Sequence, residues 1–277
     1  MLDKDEYRYI LDNTVFSFSN LQTFKNCPTE WKRRYIDGDE GLSNQWADFG
    51  KCCHEILSES LTNKLDNSLV VDKYRELFSK YVTDKDIEFY LPSQSSMYKK
   101  GLNYFEYERD NPLLSRILTD SIISRYDNIE VYTEYEFEYT LDSGHQMCGY
   151  IDVLVLMYKD SKVVNAYVID HKSGEYPLTQ ATKIRSAQKE KYEQYKKQLY
   201  LYSDFVKHKF GVFPDSIILN YLSCHRYIKL QFSEEEYNAT MAWVNDTINE
   251  IYETEDFELG GSYFYCHNLC SYRDDCY

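Results

Sequence analysis

Two nearly continuous apolar runs, Met147–Leu156 and Val163–Ile169, constrain this chain more than any other stretch. Each is strand-sized and apolar on both alternating faces. The polar turn Lys159-Asp160-Ser161-Lys162 joins them, so they read as an antiparallel hairpin at the centre of a sheet covered on both sides. Each run also carries one carboxylate. Asp152 interrupts Ile151 and Val153, and Asp170 closes Tyr167-Val168-Ile169. With the turn centred near residue 161, positions 152 and 170 face each other. Directly opposed residues hold their Cβ atoms about 4.5–5.5 Å apart, and like charges there repel. Burying both costs several kcal/mol unless positive charge lies between them. A bound divalent cation is the simplest compensation. Lys172, two residues past Asp170, projects from the same face and adds a second positive group. A plainer alternative stands beside this one: Asp170 caps a turn and Lys172 pairs with it at the strand end.

The remaining sequence supplies layers for such a sheet. Glu130 to Thr140 alternates Val131, Thr133, Tyr135, Phe137 and Tyr139 with Tyr132, Glu134, Glu136 and Glu138, a half-exposed strand. The segment Leu141-Asp142-Ser143-Gly144 turns it into the hairpin. Ser216–Leu222 and Tyr227–Phe232 read as two further strands. Ser19 with Gln22 forms a capping box that starts a helix toward Cys27-Pro28. A second helix covers Asp48 to Thr62, with His54, Leu57 and Leu61 on one face. Asp72 to Arg125 is mostly helical and broken at Pro92; a long helix runs from about Thr182 to His208, and a last one from about Glu234 to Thr254. Helices, a three-strand antiparallel meander, a long helix and more strand make an α/β layered fold.

Composition sets outer bounds. The 277 residues are 43% apolar, with only 10 Gly and 5 Pro and no internal repeat or flexible linker, so a single globular domain is expected. No apolar run approaches the ~18 residues of a membrane helix. Met1-Leu2-Asp3-Lys4-Asp5-Glu6 has neither a basic start nor an apolar stretch, so the expectation is a cytoplasmic protein without a signal peptide or a membrane partner. The net charge of −15 opposes non-specific binding to nucleic acid or anionic lipid. It does not exclude nucleic-acid chemistry, because carboxylates that hold a metal count in the same sum.

Three segments in order now carry a resemblance: Gly149-Tyr150-Ile151-Asp152, Asp170-His171-Lys172-Ser173-Gly174, and Gln198-Leu199-Tyr200-Leu201-Tyr202. Together they resemble the PD-(D/E)XK nuclease superfamily in its RecB-like branch, whose motifs are Gly-x-x-Asp, Asp-x-Lys-(Ser/Thr)-Gly and Gln-x-x-x-Tyr. His54 is similar to the helical histidine upstream of them. The resemblance implies a restriction-endonuclease-like core, a mixed sheet with an antiparallel three-strand meander flanked by helices, here with a helical insertion and a terminal Cys cluster. It further implies that Asp152, Asp170 and the His171 carbonyl bind Mg²⁺ or Mn²⁺, that His54 completes a metal position, and that Lys172 orients or activates the attacking water. Glu134 matches an acidic position on the preceding strand. Those residue types suit phosphodiester hydrolysis, where hard oxygen ligands hold the metal and an ammonium stabilises developing charge. His54 taken alone is more often an ordinary structural histidine.

The long helix adds a stripe of Tyr192, Tyr195, Leu199, Tyr202 and Val206 at core-facing spacing. Gln198 and Tyr202 are i, i+4 neighbours on its edge, placed for substrate-backbone contacts near the metals. Lys183, Arg185, Lys189, Lys191, Lys196 and Lys197 make the same helix a basic island in an acidic chain, either a phosphate-attracting stripe or a solvated face.

Three of the eight cysteines crowd the end as Cys266-x3-Cys270-x5-Cys276, too dense for a core and one ligand short; Cys27, 239 positions before Cys266, is the natural fourth. The pattern of one cysteine before the core and three after it resembles the iron–sulfur staple of RecB-like and CRISPR-associated exonucleases. The first gap here is three residues where that branch usually has two, and His267 is an available substitute ligand. Four thiolates suit [4Fe–4S] or Zn²⁺ equally by donor type, and only the resemblance favours iron. Cys52, Cys53, Cys148 and Cys224 read as packing residues. On this reading 1–277 is one nuclease domain: a staple helix at 14–36, a helical region at 48–125, the core at 130–232, and a C-terminal helix with the cluster at 234–277. The activity implied is a metal-dependent DNA exonuclease working on ends or single strands in recombination, repair, phage replication or CRISPR adaptation, with a helicase, integrase or recombination protein as partner. The competing reading is a DNA-binding adaptor subunit without turnover of its own.

Overall fold

The computed structural model describes residues 3–83, 93–179, 183–268, 270–273 and 275–276. The expected break at Pro92 and helix start at Thr182 lie outside the described residues. The chain divides into two compact units, residues 1–44 with 136–149 and 238–277, and residues 45–135 with 150–237. No helix among the described residues is long and apolar enough to cross a membrane.

The first unit holds α1 (Lys4–Asp12), β1 (Phe16–Ser17), α2 (Phe18–Asn26) and α3 (Pro28–Tyr35). The expected single helix over 14–36 is two, because Pro28 takes the first position of α3 and Cys27 caps it. The expected capping box of Ser19 and Gln22 does not start this helix. Ser17, not Ser19, is the N-cap of α2 and accepts the Asn20 N–H, while Ser19 Oγ lies 3.0 Å from Ser17 Oγ. Trp31 is fully buried; it stacks on Phe257 at 6.1 Å and donates its indole N–H to Asn20 Oδ1 at 3.0 Å.

The second unit contains α4 (Gln45–Leu61), α5 (Val70–Phe78), α6 (Gln94–Asp110), α7 (Leu113–Ile117) and α8 (Asp120–Ile123). β2 (Asn128–Thr140) and β3 (Gln146–Lys159) each run from one unit into the other, and β4 (Lys162–Lys172), α9 (Lys189–Phe210), β5 (Ser216–Tyr221) and β6 (Arg226–Gln231) follow within the second. Helix α10 (Glu234–Glu253) begins in the second unit, and α11 (Tyr263–Asn268) lies in the first. The strands form a mixed six-stranded sheet in the order β1-β3-β4-β5-β6, with β2 also paired to β3; β4 pairs antiparallel with β3 and parallel with β5. This is the α/β, restriction-endonuclease-like fold expected from the sequence.

The hairpin register follows the sequence closely. Asp160 and Ser161 both take positive φ, 49° and 61°, the conformation a two-residue hairpin turn demands. The ladder runs from Lys159↔Lys162 through one irregularity to Met157↔Asn165, leaving Val164 unpaired, and ends at Val153↔Ile169. The next step along that ladder sets residue 152 opposite residue 170. Val153, Val155, Met157, Tyr167 and Ile169 share one face and bury against Leu61, Leu113 and Ile117. Alternation therefore gives the other face to Asp152 and Asp170, where α9 packs on β4.

Helices α4, α5 and α6 enclose their own core around Phe49, Ile56, Tyr74, Met97 and Phe105. Cys52 and Cys53 are fully buried there, as packing residues should be. Gly101 on α6 lies so close to Tyr74 that an added Cβ would meet its hydroxyl oxygen at 2.1 Å. Tyr74 has no room to yield, since it is fully buried and donates to the Tyr98 carbonyl at 3.0 Å. Gly101→Ala is therefore expected to destabilise by about 1–3 kcal/mol through overpacking, against a gain of at most ~1 kcal/mol in helix propensity. A raised denaturant midpoint in the variant would refute this account of the α5–α6 contact.

Candidate active site

Helix α4 is held by Phe49, Ile56 and Leu57, all buried, and this leaves His54 half-buried on its edge. The His54 Nδ1 atom lies 3.5 Å from Asp152 Oδ1 and 3.7 Å from Glu134 Oε1. One ligand atom from each of these three residues falls within 4.8 Å of the others, the spacing of donors around one cation. Glu134 reaches this trio through an uncommon backbone. Its φ is 47°, left-handed in mid-strand, where a non-glycine residue costs about 1–3 kcal/mol. The sequence placed Glu134 on the right strand, but nothing in its pattern announced that conformation.

The second oxygen of Asp152 accepts the His171 N–H at 2.7 Å. The His171 ring is buried, with Nδ1 3.0 Å from Asn220 Nδ2 and Nε2 lacking a hydrogen-bond partner. Burial pushes its pKa down to about 3 despite Asp152, with the charges of His54 and Lys172 adding to the effect, so the ring is neutral.

Asp170 stands beside the trio rather than within it. Its Oδ2 is 2.5 Å from Lys172 Nζ. Lys172 also donates to Gln198 Oε1 at 3.1 Å and lies 3.9 Å above the Tyr195 ring. The Gln198 amide donates in turn to the Tyr202 hydroxyl at 2.9 Å. Lys172 pairs with Asp170, as the plainer reading expected, and that ion pair adjoins a clustered set of metal-type donors. Tyr195, read as a core residue, is only half-buried and serves as the lysine's aromatic floor. The contacts of Tyr195 with Lys172 and of Asn220 with His171 carried no sequence signal, because each joins elements far apart in the chain.

The electrostatics separate the two aspartates. For Asp152, burial raises the pKa, but the charge and hydrogen bond of His54, then His171 and Lys172, outweigh it and hold it at about 2. For Asp170, burial dominates; Lys172 opposes it, Asp152 adds to it, and the result is about 6. For His54, burial lowers the value, but Asp152, then Glu134 and Asp170, hold it up to about 10. In front of His54 and Glu134 opens a cleft of about 680 Å³, floored by Gly50, Lys51 and Ser58 of α4.

The basic island is partly corrected. Lys183 and Arg185 are not on α9, which begins at Lys189. They belong to the preceding loop, where the Thr179 and Arg185 N–H groups bond the Lys183 and Pro177 carbonyls and Leu178 bridges Ile184.

In the other unit Cys27, Cys266, Cys270 and Cys276 line one cavity. Cys27 Sγ accepts the N–H groups of Glu30 at 3.5 Å and Gly260 at 3.4 Å, and Cys270 Sγ accepts that of Tyr272 at 3.4 Å. Gly260 is required for this approach, since a Cβ there would meet the Asn26 carbonyl at 2.6 Å. Burial pushes the Cys270 thiol up to about 11. His267 is half-buried on α11.

The sequence profile of the PD-(D/E)XK nuclease superfamily matches residues 15–277. The chain belongs to that superfamily. PD-(D/E)XK nucleases generally use divalent metals such as Mg²⁺, and the His54, Glu134 and Asp152 donors have the chemistry for one. Among solved structures, a protein from Eubacterium rectale named "Putative exonuclease" aligns over 100% of this chain and 94% of its own, at 12% identity and a TM-score of 0.53. At that identity the likeness concerns the fold. A second, SSO0001, covers 98% of this chain and 93% of its own at 13% identity, with a TM-score of 0.40. No curated protein sequence matches the chain.

Proposed function

We propose that this PD-(D/E)XK protein is a metal-dependent DNA exonuclease of the RecB-like branch, with its active centre at Asp152, Asp170 and Lys172. One observation carries the reading: donors of His54, Glu134 and Asp152 converge within 4.8 Å beside an Asp170–Lys172 ion pair only 2.5 Å long. His54, Asp152, Asp170 and the His171 carbonyl would hold Mg²⁺ or Mn²⁺, with Glu134 as a further ligand. Such an ion, when bound, would supply an activated water and a Lewis acid for the phosphoryl oxygen. Lys172, fixed by Asp170, Gln198 and Tyr195, presents an ammonium where charge develops on the phosphate. Gln198 and Tyr202 brace that ammonium and border the path of the substrate backbone. The name carried by the Eubacterium rectale neighbour agrees with exonuclease action.

The four cysteines line one cavity, and four thiolates suit a four-iron cluster or zinc equally by donor type. The resemblance to the RecB-like branch is what favours iron here. Sulfur atoms that accept backbone N–H bonds suit either group.

The test of the function is anaerobically purified protein with DNA labelled at either end, single- and double-stranded, in Mg²⁺ or Mn²⁺. Stepwise shortening from an end is expected. Tight DNA binding without product would replace the exonuclease by the adaptor reading.

Metal affinity should carry a proton signature. The metal-free site keeps His54 protonated up to about pH 10. An ion that takes the imidazole as ligand must displace that proton, so Mn²⁺ affinity should rise about tenfold per pH unit between pH 7 and 9. Below about pH 6 Asp170 also binds a proton, and the dependence steepens. Calorimetry in two buffers reads the proton released. A flat affinity across pH 7–9 would remove His54 from the ligand set.

A further inference from the structure

The loop that follows Lys172 gathers positive charge much as the strands before it gather negative charge. The Ser173 carbonyl accepts from Lys100 Nζ and from the Tyr104 hydroxyl, each at 3.3 Å. The Gly174 carbonyl accepts from Ser223 Oγ at 2.6 Å, which fixes the next residue of the loop. Lys191 reaches the same place from α9. A Cβ on Gly174 would find Lys191 Nζ at 3.8 Å and the Tyr195 hydroxyl at 4.0 Å, with nothing nearer. One aromatic ring, that of Tyr195, lies 3.9 Å from Lys172 Nζ and 5.8 Å from Lys191 Nζ.

Three lysines from three elements thus converge on a two-residue loop in a chain whose net charge is −15. Two carboxylates answer them. Asp170 is engaged by Lys172, and Glu175, mostly exposed, lies 3.7 Å from Arg185. Among the described residues neither Lys100 nor Lys191 has an ion-pair partner of its own. Burial lowers the pKa of both. Glu175 opposes this in each case, and for Lys191 the neighbouring charges of Lys172 and Lys100 press the same way as burial. Lys191 Nζ stands over Gly174 while Lys100 Nζ donates to the carbonyl of Ser173 before it, so two ammoniums without a carboxylate of their own meet one short loop. An arriving anion relieves their mutual repulsion, and apart from its chain neighbours nothing comes nearer than 3.8 Å to a Cβ placed on Gly174.

We infer that Lys100 and Lys191 form a phosphate subsite over Gly174, which holds the backbone phosphate next to the one cleaved. The inference rests on the nuclease reading for its substrate, and it makes the helical insertion, which supplies Lys100, part of the DNA-binding surface. Both residues are positioning residues: they hold a phosphate and do not touch the reacting one.

The experiment measures binding of a short single-stranded oligonucleotide without divalent metal over a series of salt concentrations, for the wild-type chain, Lys100→Gln, Lys191→Gln and the double variant. A lysine that contacts a phosphate of a single strand contributes about 0.7 to the slope of log affinity against log salt. Each single variant should lose about that much slope, and Lys191→Arg should retain it. In Mg²⁺ the double variant should show a raised KM with kcat little changed. Oligonucleotides with and without a 5′-phosphate separate the two sources of the anion. An equal loss with both identifies an internal phosphodiester, and a loss confined to the phosphorylated one identifies a strand end. Wild-type slope and KM in the double variant would overturn the subsite, as would a wild-type protein that does not bind the oligonucleotide. Failure of the nuclease reading looks different: salt-dependent binding that the lysine variants weaken, and no cleavage by the wild-type chain in any metal.

Discussion

On the proposed reading, Asp170→Asn is expected to abolish DNA cleavage, by at least about 10³-fold or ~4 kcal/mol of transition-state stabilisation, while the protein is expected to become more stable rather than less. The first half follows from the proposed role: the amide keeps the shape of the side chain and removes the charge that would hold the metal and anchor Lys172. The second half follows from the electrostatics. The folded pKa of Asp170, about 6, lies above the ordinary ~3.9. Its contribution to stability is therefore complete at low pH and is lost as pH rises through 6, so at neutral pH the ionised group is a burden. Asp152 has the opposite sign. Held at about 2, it stabilises the fold above pH ~4, and that contribution fades as the pH falls toward 2. Asp152→Asn should abolish cleavage and also lower the melting temperature at pH 7. Thermal unfolding of the two variants beside the wild type, with cleavage rates, checks both halves. Equal melting shifts would show that the two carboxylates do not differ as described, and retained cleavage in both would remove the catalytic assignment.

The second large effect is expected at the opposite pole of the chemistry. Cys270→Ser should yield protein without iron, melting some 10 °C or more below the wild type. A cluster that joins Cys27 to Cys266 closes a loop of 239 positions. By the chain-entropy relation for cross-links, such a closure stabilises by roughly 5 kcal/mol, and about 2–4 °C of melting temperature accompanies each kcal/mol in a chain of this order of size. Anaerobic calorimetry with iron and zinc quantified reads the result. The substitution itself is mild, a single atom in a buried side chain, so a large shift points to the lost group rather than to packing. A variant with wild-type melting and wild-type metal content would dismiss the staple altogether; stoichiometric zinc without iron in the wild type would replace the cluster by an ion.

What could be read from the sequence divides along a physical line. Strand faces alternate with a strict period of two, so a hairpin centred near residue 161 was legible; the turn at Asp160-Ser161 alone would set 152 opposite 169, and the irregularity that leaves Val164 unpaired shifts the ladder, ending at Val153↔Ile169, toward 152 opposite 170. Gln198 and Tyr202 were neighbours by helical spacing and are hydrogen-bonded. Helix ends were less legible. Lys183 and Arg185 have helix-like composition, but the loop bonds of Thr179 and Arg185 bind them elsewhere, and Pro28 divides a helix that polar spacing alone would join. The approach of His54 to Asp152 was available only through family likeness, since a lone histidine on a helix has no pattern that tells its partner. Tyr195, Asn220 and Lys100 entered through tertiary contacts, which local propensity does not encode.

The left-handed backbone of Glu134 narrows what this position can become. Glycine or asparagine would relax the strand but bring no carboxylate, and aspartate would bring one on a stem a methylene shorter. Drift at residue 134 therefore trades comfort of the chain against reach of the acid, and the rim of the cleft is kept in place by attraction to its charged neighbours more than by any preference of its own strand.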